Sequence, residues 1–383
     1  YHVCSAPQER LFLGGRWQEG LEPSEGISEN SKKEFFRFFD HMDKFKKLRG
    51  ADGLRAFAIP INRSSQDSKY LKFDQLTMQE YLTTEGFKDK YLFWYVNYCC
   101  RDDFGASIDK VSAWAAIHYF AARDGVGVNL KSSDVITWPE GNSWLIQKFS
   151  EKIKGSIQLN TLVYDVQKIN ESYLVKTYNF NSKKRIFYTV AKIVYAAPLF
   201  TAKKIINIKK IQKHLKKLKL NYAPWMTANI FLKEPLEEKE IPLCWDNVNY
   251  HGKSLGYINN NHQDLSTSKR SINLTQYWPL MDSSPKKARI NALTKSHPEW
   301  CNDVINEMEL THSDIRDKLE QIDISLWGHA MAIPQVGFLK RSYNLSSIDN
   351  IYFAHTDHSG ISLFEEGFYQ GFYAAENIFK EQV

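Results

Sequence analysis

The period of the apolar residues changes near Gly141, and this change constrains the fold more than any other feature. Before it, Phe35, Phe36, Phe39, Met42 and Phe45 recur at helical spacing and predict one apolar face. Met78, Tyr81 and Leu82 begin a second helix, residues 91–98 form a dense aromatic run expected to be buried, and residues 112–123 predict a helix with Trp114, Ile117 and Phe120 facing inward. Only a short strand and turn over 10–23 interrupts this helical third. After Gly141, a helix carrying Trp144, Leu145, Phe149 and Ile153 leads to a strand over 157–163, a meander over 166–169 and 173–178, and a short buried strand over 193–198 ended by Pro198. A Lys-rich amphipathic helix over 203–219 follows, then strands over 226–232, 255–259 and 271–277 and helix over 286–320. The chain finishes with a strand over 351–354, a loop with Ser359-Gly360, and a helix through Gly367, Gly371, Ala374 and Ala375. The small residues at 371, 374 and 375 share a face that would let this helix sit close to a neighbour.

Length and composition bound the alternatives. At about 150 residues per domain, 383 residues suggest two domains. A hydrophobic share of 43% with 25% charged residues excludes wholesale disorder and a small disulfide scaffold. The net charge of +6 mixes abundant residues of both signs, so no nucleic-acid partner is expected. Aromatic residues at 14% call for a large core or a ring-lined pocket. Cys4, Cys99, Cys100, Cys244 and Cys301 show no metal spacing and read as reduced thiols. No apolar run is long enough to span a bilayer. Compartment and oligomeric state stay open.

Three segments stand in a telling order. The first comprises Trp138-Pro139-Glu140-Gly141-Asn142-Ser143-Trp144-Leu145, the stretch 157–163 ending in Val163, and the strand 193–198 ending in Ala197-Pro198. The second is Trp327-Gly328-His329-Ala330-Met331-Ala332-Ile333-Pro334-Gln335. The third runs from Ile351-Tyr352-Phe353-Ala354-His355-Thr356-Asp357 through Ser359-Gly360 to Gly371 and Ala374-Ala375. Together they resemble the flavin-containing amine oxidase superfamily, which includes amine oxidases, protoporphyrinogen oxidases and phytoene desaturases. The resemblance covers most of 135–383 and, more loosely, the helices before it.

The resemblance implies an α/β plus α+β fold. A Rossmann-like FAD-binding domain (135–204 and 340–383) would be interleaved with a substrate domain of helices (1–134) and antiparallel sheet (205–339). It implies FAD as cofactor, with Val163 offering its backbone to the adenine, Ala197 and Pro198 approaching the dinucleotide, and Asp357 bonding the ribityl chain. Gly360, Ile361, Ser362, Phe364 and Glu365 would form the loop and helix start aimed at the isoalloxazine, where a helix N-terminus stabilises negative charge. His355 stands where the family has Gly, and its side chain would crowd or contact the flavin. The implied function is an FAD-dependent oxidoreductase of amine oxidase type acting on a small organic molecule by hydride transfer. The alternative is a truncated or degenerate non-catalytic homologue.

One element of such a site is missing. A dinucleotide needs a strand, a GxGxxG turn and a helix N-terminus on its pyrophosphate. Gly125-Val126-Gly127 lacks the third glycine and the strand, and Gly14-Gly15 is followed by Arg16-Trp17 without a suitable helix. With its opening at Tyr1-His2-Val3-Cys4, the chain reads as a fragment lacking the first βαβ unit, and the remainder would expose strand edges and apolar surface.

Flavin chemistry needs few reactive side chains. His329 is the leading candidate for substrate contact or proton transfer, with a buried structural histidine as its plain alternative. His118, Tyr119, Asp246, His262 and Tyr277 are further candidates. His355, Asp357 and His358 match no metal motif, so no metal is expected. Ser143 lacks the second glycine of a nucleophile elbow. Arg101-Asp102-Asp103 reads as a salt-bridged turn. The 203–219 helix reads as a surface helix with a solvated basic face, membrane attachment being its alternative.

Overall fold

The computed structural model describes residues 2–4, 6–123, 135–138, 140–218, 220–236, 241–262, 272–342 and 347–380. Its largest sheet is built on the strand Tyr222–Leu232, which pairs antiparallel with Ile272–Pro279 on one side and Leu319–Ala332 on the other. Outward from Ile272–Pro279 the sheet continues through Tyr257–Asn259, Asp246–Asn249, Glu9–Leu13 and Arg16–Glu19. Asp246–Asn249 joins Glu9–Leu13 in parallel, which stitches the early hairpin into a sheet formed much later in the chain.

Side-chain alternation along Tyr222–Leu232 divides the interior in two. Met226, Ala228, Ile230 and Leu232 face one core with Trp300, Val304 and Met308 of the helix His297–Glu309. Ala223 and Trp225 face the other, made by the helical first third. There the helices Glu29–Lys47, Met78–Thr84, Lys90–Phe104 and Ala113–Ala121 pack together, Phe38 meeting the loop residue Phe87 edge-on and Trp114 the loop residue Phe57 at a tilt. Side-chain caps start these helices: the Ser28, Thr77, Asp89 and Ser112 side chains accept amides of the first turn. Gly105 ends Lys90–Phe104 in the left-handed conformation, and any Cβ there would strike Ala223 and the Trp225 indole.

A smaller assembly holds the last strand. Ile351–Phe353 runs parallel to Ile193–Tyr195 and pairs on its other edge with Ser347–Ile348. A three-stranded meander, Thr161–Ile169, Ser172–Asn179 and Lys184–Val190, packs against this group through Val166 and Tyr173. The second edge of Ile193–Tyr195 pairs with no strand among the described residues, and Val194 is half exposed. Nearby helices Ser143–Lys152 and Phe364–Lys380 bring the rings of Phe149 and Phe368 to 5.7 Å, yet both stay largely exposed, as do Ile146 and Phe372.

Several expectations from the sequence need correction. The strand expected over 157–163 begins only at Thr161, because Asn160 adopts positive φ and turns the chain. The helix expected over 203–219 is two, Leu199–Ile205 and Lys209–Lys217. Between them Asn207 bonds the meander, its amide to Val166 O and its side chain to Asp165. The apolar side of the second helix is buried at Ile211 and Leu215. The 286–320 segment is broken into Pro285–Thr294, His297–Glu309 and Ile315–Lys318, the second entered through a Ser296–Glu299 capping box. Phe36 points to solvent at 77% exposure, and Phe38 takes the inward position. A Cβ on Gly371 would meet nothing, so the close approach of the last helix is at Gly367, beside Thr356. Arg101-Asp102-Asp103 lies in a helix, not a turn. Gly125-Val126-Gly127 lies outside the described residues.

Candidate active site

Asp357 joins the third marked segment to the residue that follows Ala197-Pro198 and, through Tyr222, to the strand that pairs with the second segment. It sits in a single 3₁₀ turn, Thr356–His358, directly after the last strand, and is 5% exposed. Its Oδ2 accepts the Leu199 amide at 2.8 Å and the Tyr222 hydroxyl at 2.6 Å. The first bond reaches the helix that starts after Ala197-Pro198, and the second reaches the start of the central strand. Nδ1 of His355 accepts the Asp357 amide at 3.1 Å and lies 3.4 Å from Oδ1. Burial pushes the carboxyl pKa up, but His355, Tyr222 and the Leu199 amide outweigh it and hold the group below its usual range, as an anion.

His329 lies beside this node on the long strand Leu319–Ala332, at a bulge between Trp327 and Met331. Its ring stacks on Phe200 at 4.1 Å and meets Tyr222 edge-on at 5.5 Å. Partial burial and the nearby Arg289 lower its pKa, so the imidazole is neutral at neutral pH. Arg289 donates to the carbonyls of Tyr222 and Gly328, both at 3.0 Å, and so fixes the bulge against the central strand.

The loop beyond Asp357 leads into the last helix. Gly360 has φ +80°, and a Cβ there would approach Phe338 to 3.0 Å, so this position needs glycine on two counts. Ile361 is buried, and Ser362 Oγ accepts the Ala332 amide at 3.3 Å. The helix starts at Phe364. Phe364 and Glu365 are exposed, and the first-turn amides have no acceptor within the helix. Val163 packs in the same cluster as Ala197, beside a bulge between Val163 and Asp165.

His118 and Tyr277 lie apart from this node. His118 is buried in the helical core, its Nε2 within 2.9 Å of Ala58 O and its ring stacked on Trp114. Burial brings its pKa down to about 4, which keeps it neutral. Tyr277 donates to both Asp246 oxygens at 3.1 Å and lies 3.4 Å from the Tyr98 hydroxyl. Sequence reasoning missed Leu199, Phe200, Tyr222 and Arg289. No local motif marks them, and only Leu199, directly after Ala197-Pro198, had a sequence cue.

No protein-family model matches the chain, and no curated protein matches it. Solved structures do. An engineered variant of putrescine oxidase superposes with a TM-score of 0.69 at 12% identity, covering 100% of this chain and 82% of that one. The chain has the fold of an amine oxidase. Cyclohexylamine oxidase from Brevibacterium oxydans IH-35A gives a TM-score of 0.66 at 12% identity, over 100% and 82% of the two chains. A fatty acid isomerase from P. acnes gives 0.64 at 13%, over 96% and 79%. At these identities the likeness is one of fold. Among the described residues, no helix is long and apolar enough to cross a membrane, and no His, Cys, Asp or Glu group could hold a metal.

Proposed function

We propose that the chain is the body of an FAD-dependent oxidoreductase of amine oxidase type, acting on a small organic substrate. The reading is carried by Asp357, which bonds the helix after Ala197-Pro198 and the hydroxyl of Tyr222, against which His329 packs, and which precedes the loop into the last helix. The fold shared with the amine oxidases supports it. Residues 135–204 and 340–383 are then the flavin-binding part, and 1–134 and 205–339 the substrate part.

The residues present suit the isoalloxazine half of the cofactor. Phe364 and Glu365 begin a helix whose free amides and positive end favour an anionic ring edge. Gly360 turns the backbone towards that helix and the Ile361 side chain is buried in the core. Asp357 has spent Oδ2 on two donors, and its Oδ1, 3.4 Å from His355 Nδ1, is the oxygen that would meet a ribityl hydroxyl. The flavin, when bound, accepts the hydride. His329, neutral and exposed, would take a proton from the substrate.

The pyrophosphate half is not supplied by the described residues. Gly14 and Gly15 form a hairpin turn between Glu9–Leu13 and Arg16–Glu19, far from any phosphate-binding geometry. The edge of Ile193–Tyr195 that pairs with no strand among the described residues is where a further parallel strand would add. This observation favours the second reading, a degenerate homologue that packs like an oxidase and binds no FAD. Titration of the chain with FAD and with riboflavin, read by flavin fluorescence, separates the two. The flavin reading expects both ligands to bind with similar affinity, because only their shared ring is held. If neither binds, the degenerate reading holds.

A further inference from the structure

Charge is distributed unevenly along this chain. Residues 172–233 hold 14 of the 50 lysines and arginines and none of the 44 acids, so the remainder of the chain is net negative. A block of one sign marks a surface for a partner of the opposite sign. The fold gathers half of this block on two neighbouring helices. Leu199–Ile205 carries Lys203 and Lys204, and Lys209–Lys217 carries Lys209, Lys210, Lys213, Lys216 and Lys217, all of them exposed.

One side of the second helix is sunk in the protein. Ile211 and Leu215 are buried in one cluster with Val166 and Ile351. At about 100° per residue, Lys209, Lys213, Lys216 and Lys217 fall on the opposite arc. Among the described residues none of these four is paired with an acid, whereas Lys210, at the edge of the arc, meets Asp349 at 2.6 Å. Because its apolar side is already packed, this helix has nothing to insert into hydrocarbon, and what it offers outward is charge. A nucleic acid is held by arginine forks and by rings that stack on bases. Residues 199–218 contain no arginine, and Phe200, their only Phe, Tyr or Trp, is stacked on His329. Lysine ammonium groups are mobile point charges that ask no fixed geometry of a partner, which suits headgroups free to diffuse in a bilayer. Clusters of about four to eight basic residues draw a protein to anionic lipid, each adding about fivefold to attachment.

We propose that this lysine face docks the chain on the surface of an anionic phospholipid bilayer, by charge and without insertion. The surface stands whether or not the chain binds flavin. Co-sedimentation with phosphatidylcholine vesicles, with and without about one quarter phosphatidylglycerol, tests it. The chain should pellet with the anionic vesicles alone at about 0.1 M salt and be released at about 1 M, where the screening length falls from about 10 to about 3 Å. Changing Lys209→Gln, Lys213→Gln and Lys217→Gln together should weaken attachment about a hundredfold and leave the thermal melt unchanged, since all three are exposed. Removing as many charges from exposed lysines of the helical third, by Lys33→Gln, Lys47→Gln and Lys72→Gln, should weaken it by less than about fivefold. No attachment to anionic vesicles, equal attachment to neutral ones, attachment that survives about 1 M salt, or an equal loss in the two triple variants would each overturn the proposal. So would capture of an oligonucleotide by a chain that does not pellet with anionic vesicles.

Discussion

Glu366 allows a stability prediction worked from the structure. It is fully buried in the first turn of the last helix. One carboxyl oxygen accepts the Ile61 amide at 2.7 Å, while Oε2 has no partner. Burial lifts its pKa from 4.5 to about 7, against the opposing pull of that amide and of Ser359. The native state therefore keeps a proton that the unfolded chain releases above about pH 4.5. The contribution is fully present below pH 4.5 and is lost as pH rises towards 7. A gap of about 2.5 pH units at about 1.36 kcal/mol each gives roughly 3 kcal/mol. Glu366→Gln keeps an acceptor for Ile61 and removes the ionisation. Urea denaturation at pH 5 and pH 8 should show the variant gaining up to about 3 kcal/mol over the parent at pH 8, and much less at pH 5. A difference between the two proteins that does not change with pH would refute the assignment.

Other consequences can be checked with the same material. His118 and His312 are buried and held near pKa 4, below the usual 6.5, so they oppose acid: their contribution is present above pH 6.5 and lost as pH falls towards 4, and a His118→Gln variant should show a flatter acid limb in denaturation curves. Asp357→Asn should destabilise by about 2 kcal/mol, since two bonds to a buried anion become bonds to a neutral amide; urea midpoints measure it. Gly360→Ala should lose about 1–3 kcal/mol by the same assay, because a left-handed φ and contact with Phe338 both oppose a methyl group. In flavin-loaded protein, His329→Ala should slow flavin reduction at least about tenfold in stopped-flow absorbance with the fold intact, and unchanged reduction would remove His329 from the chemistry.

The parts of this fold that could be read from the sequence are those set by local patterning. The amphipathic repeat from Phe35 to Phe45 gave the helix Glu29–Lys47, and the apolar run before Ala354 gave the strand Ile351–Phe353. Boundaries failed where a distant partner decides them. Asn207 breaks the lysine-rich helix because it bonds the meander, a contact invisible in 203–219 alone. The stretch around His329 is a strand because it pairs with Tyr222–Leu232, and its bulge is held by Arg289 from another helix. Asp357 could be picked out by its place after a strand, but its partner Tyr222 could not.

That asymmetry bears on what the node around Asp357 does. The bonds to Leu199 and Tyr222 tie the strand end of the small sheet to the first residue of the central strand of the large one. A carboxylate so engaged first fixes the relative placement of the two sheets, and its second oxygen faces His355. His329, stacked on Phe200 and edge-on to Tyr222, inherits its position from the same two bonds. Loss of Asp357 should therefore displace His329 even without a direct contact between them. In an enzyme of this design, positioning of the proton acceptor and binding of the ribityl chain would fail together, whereas Tyr222→Phe would loosen His329 and leave Oδ1 untouched.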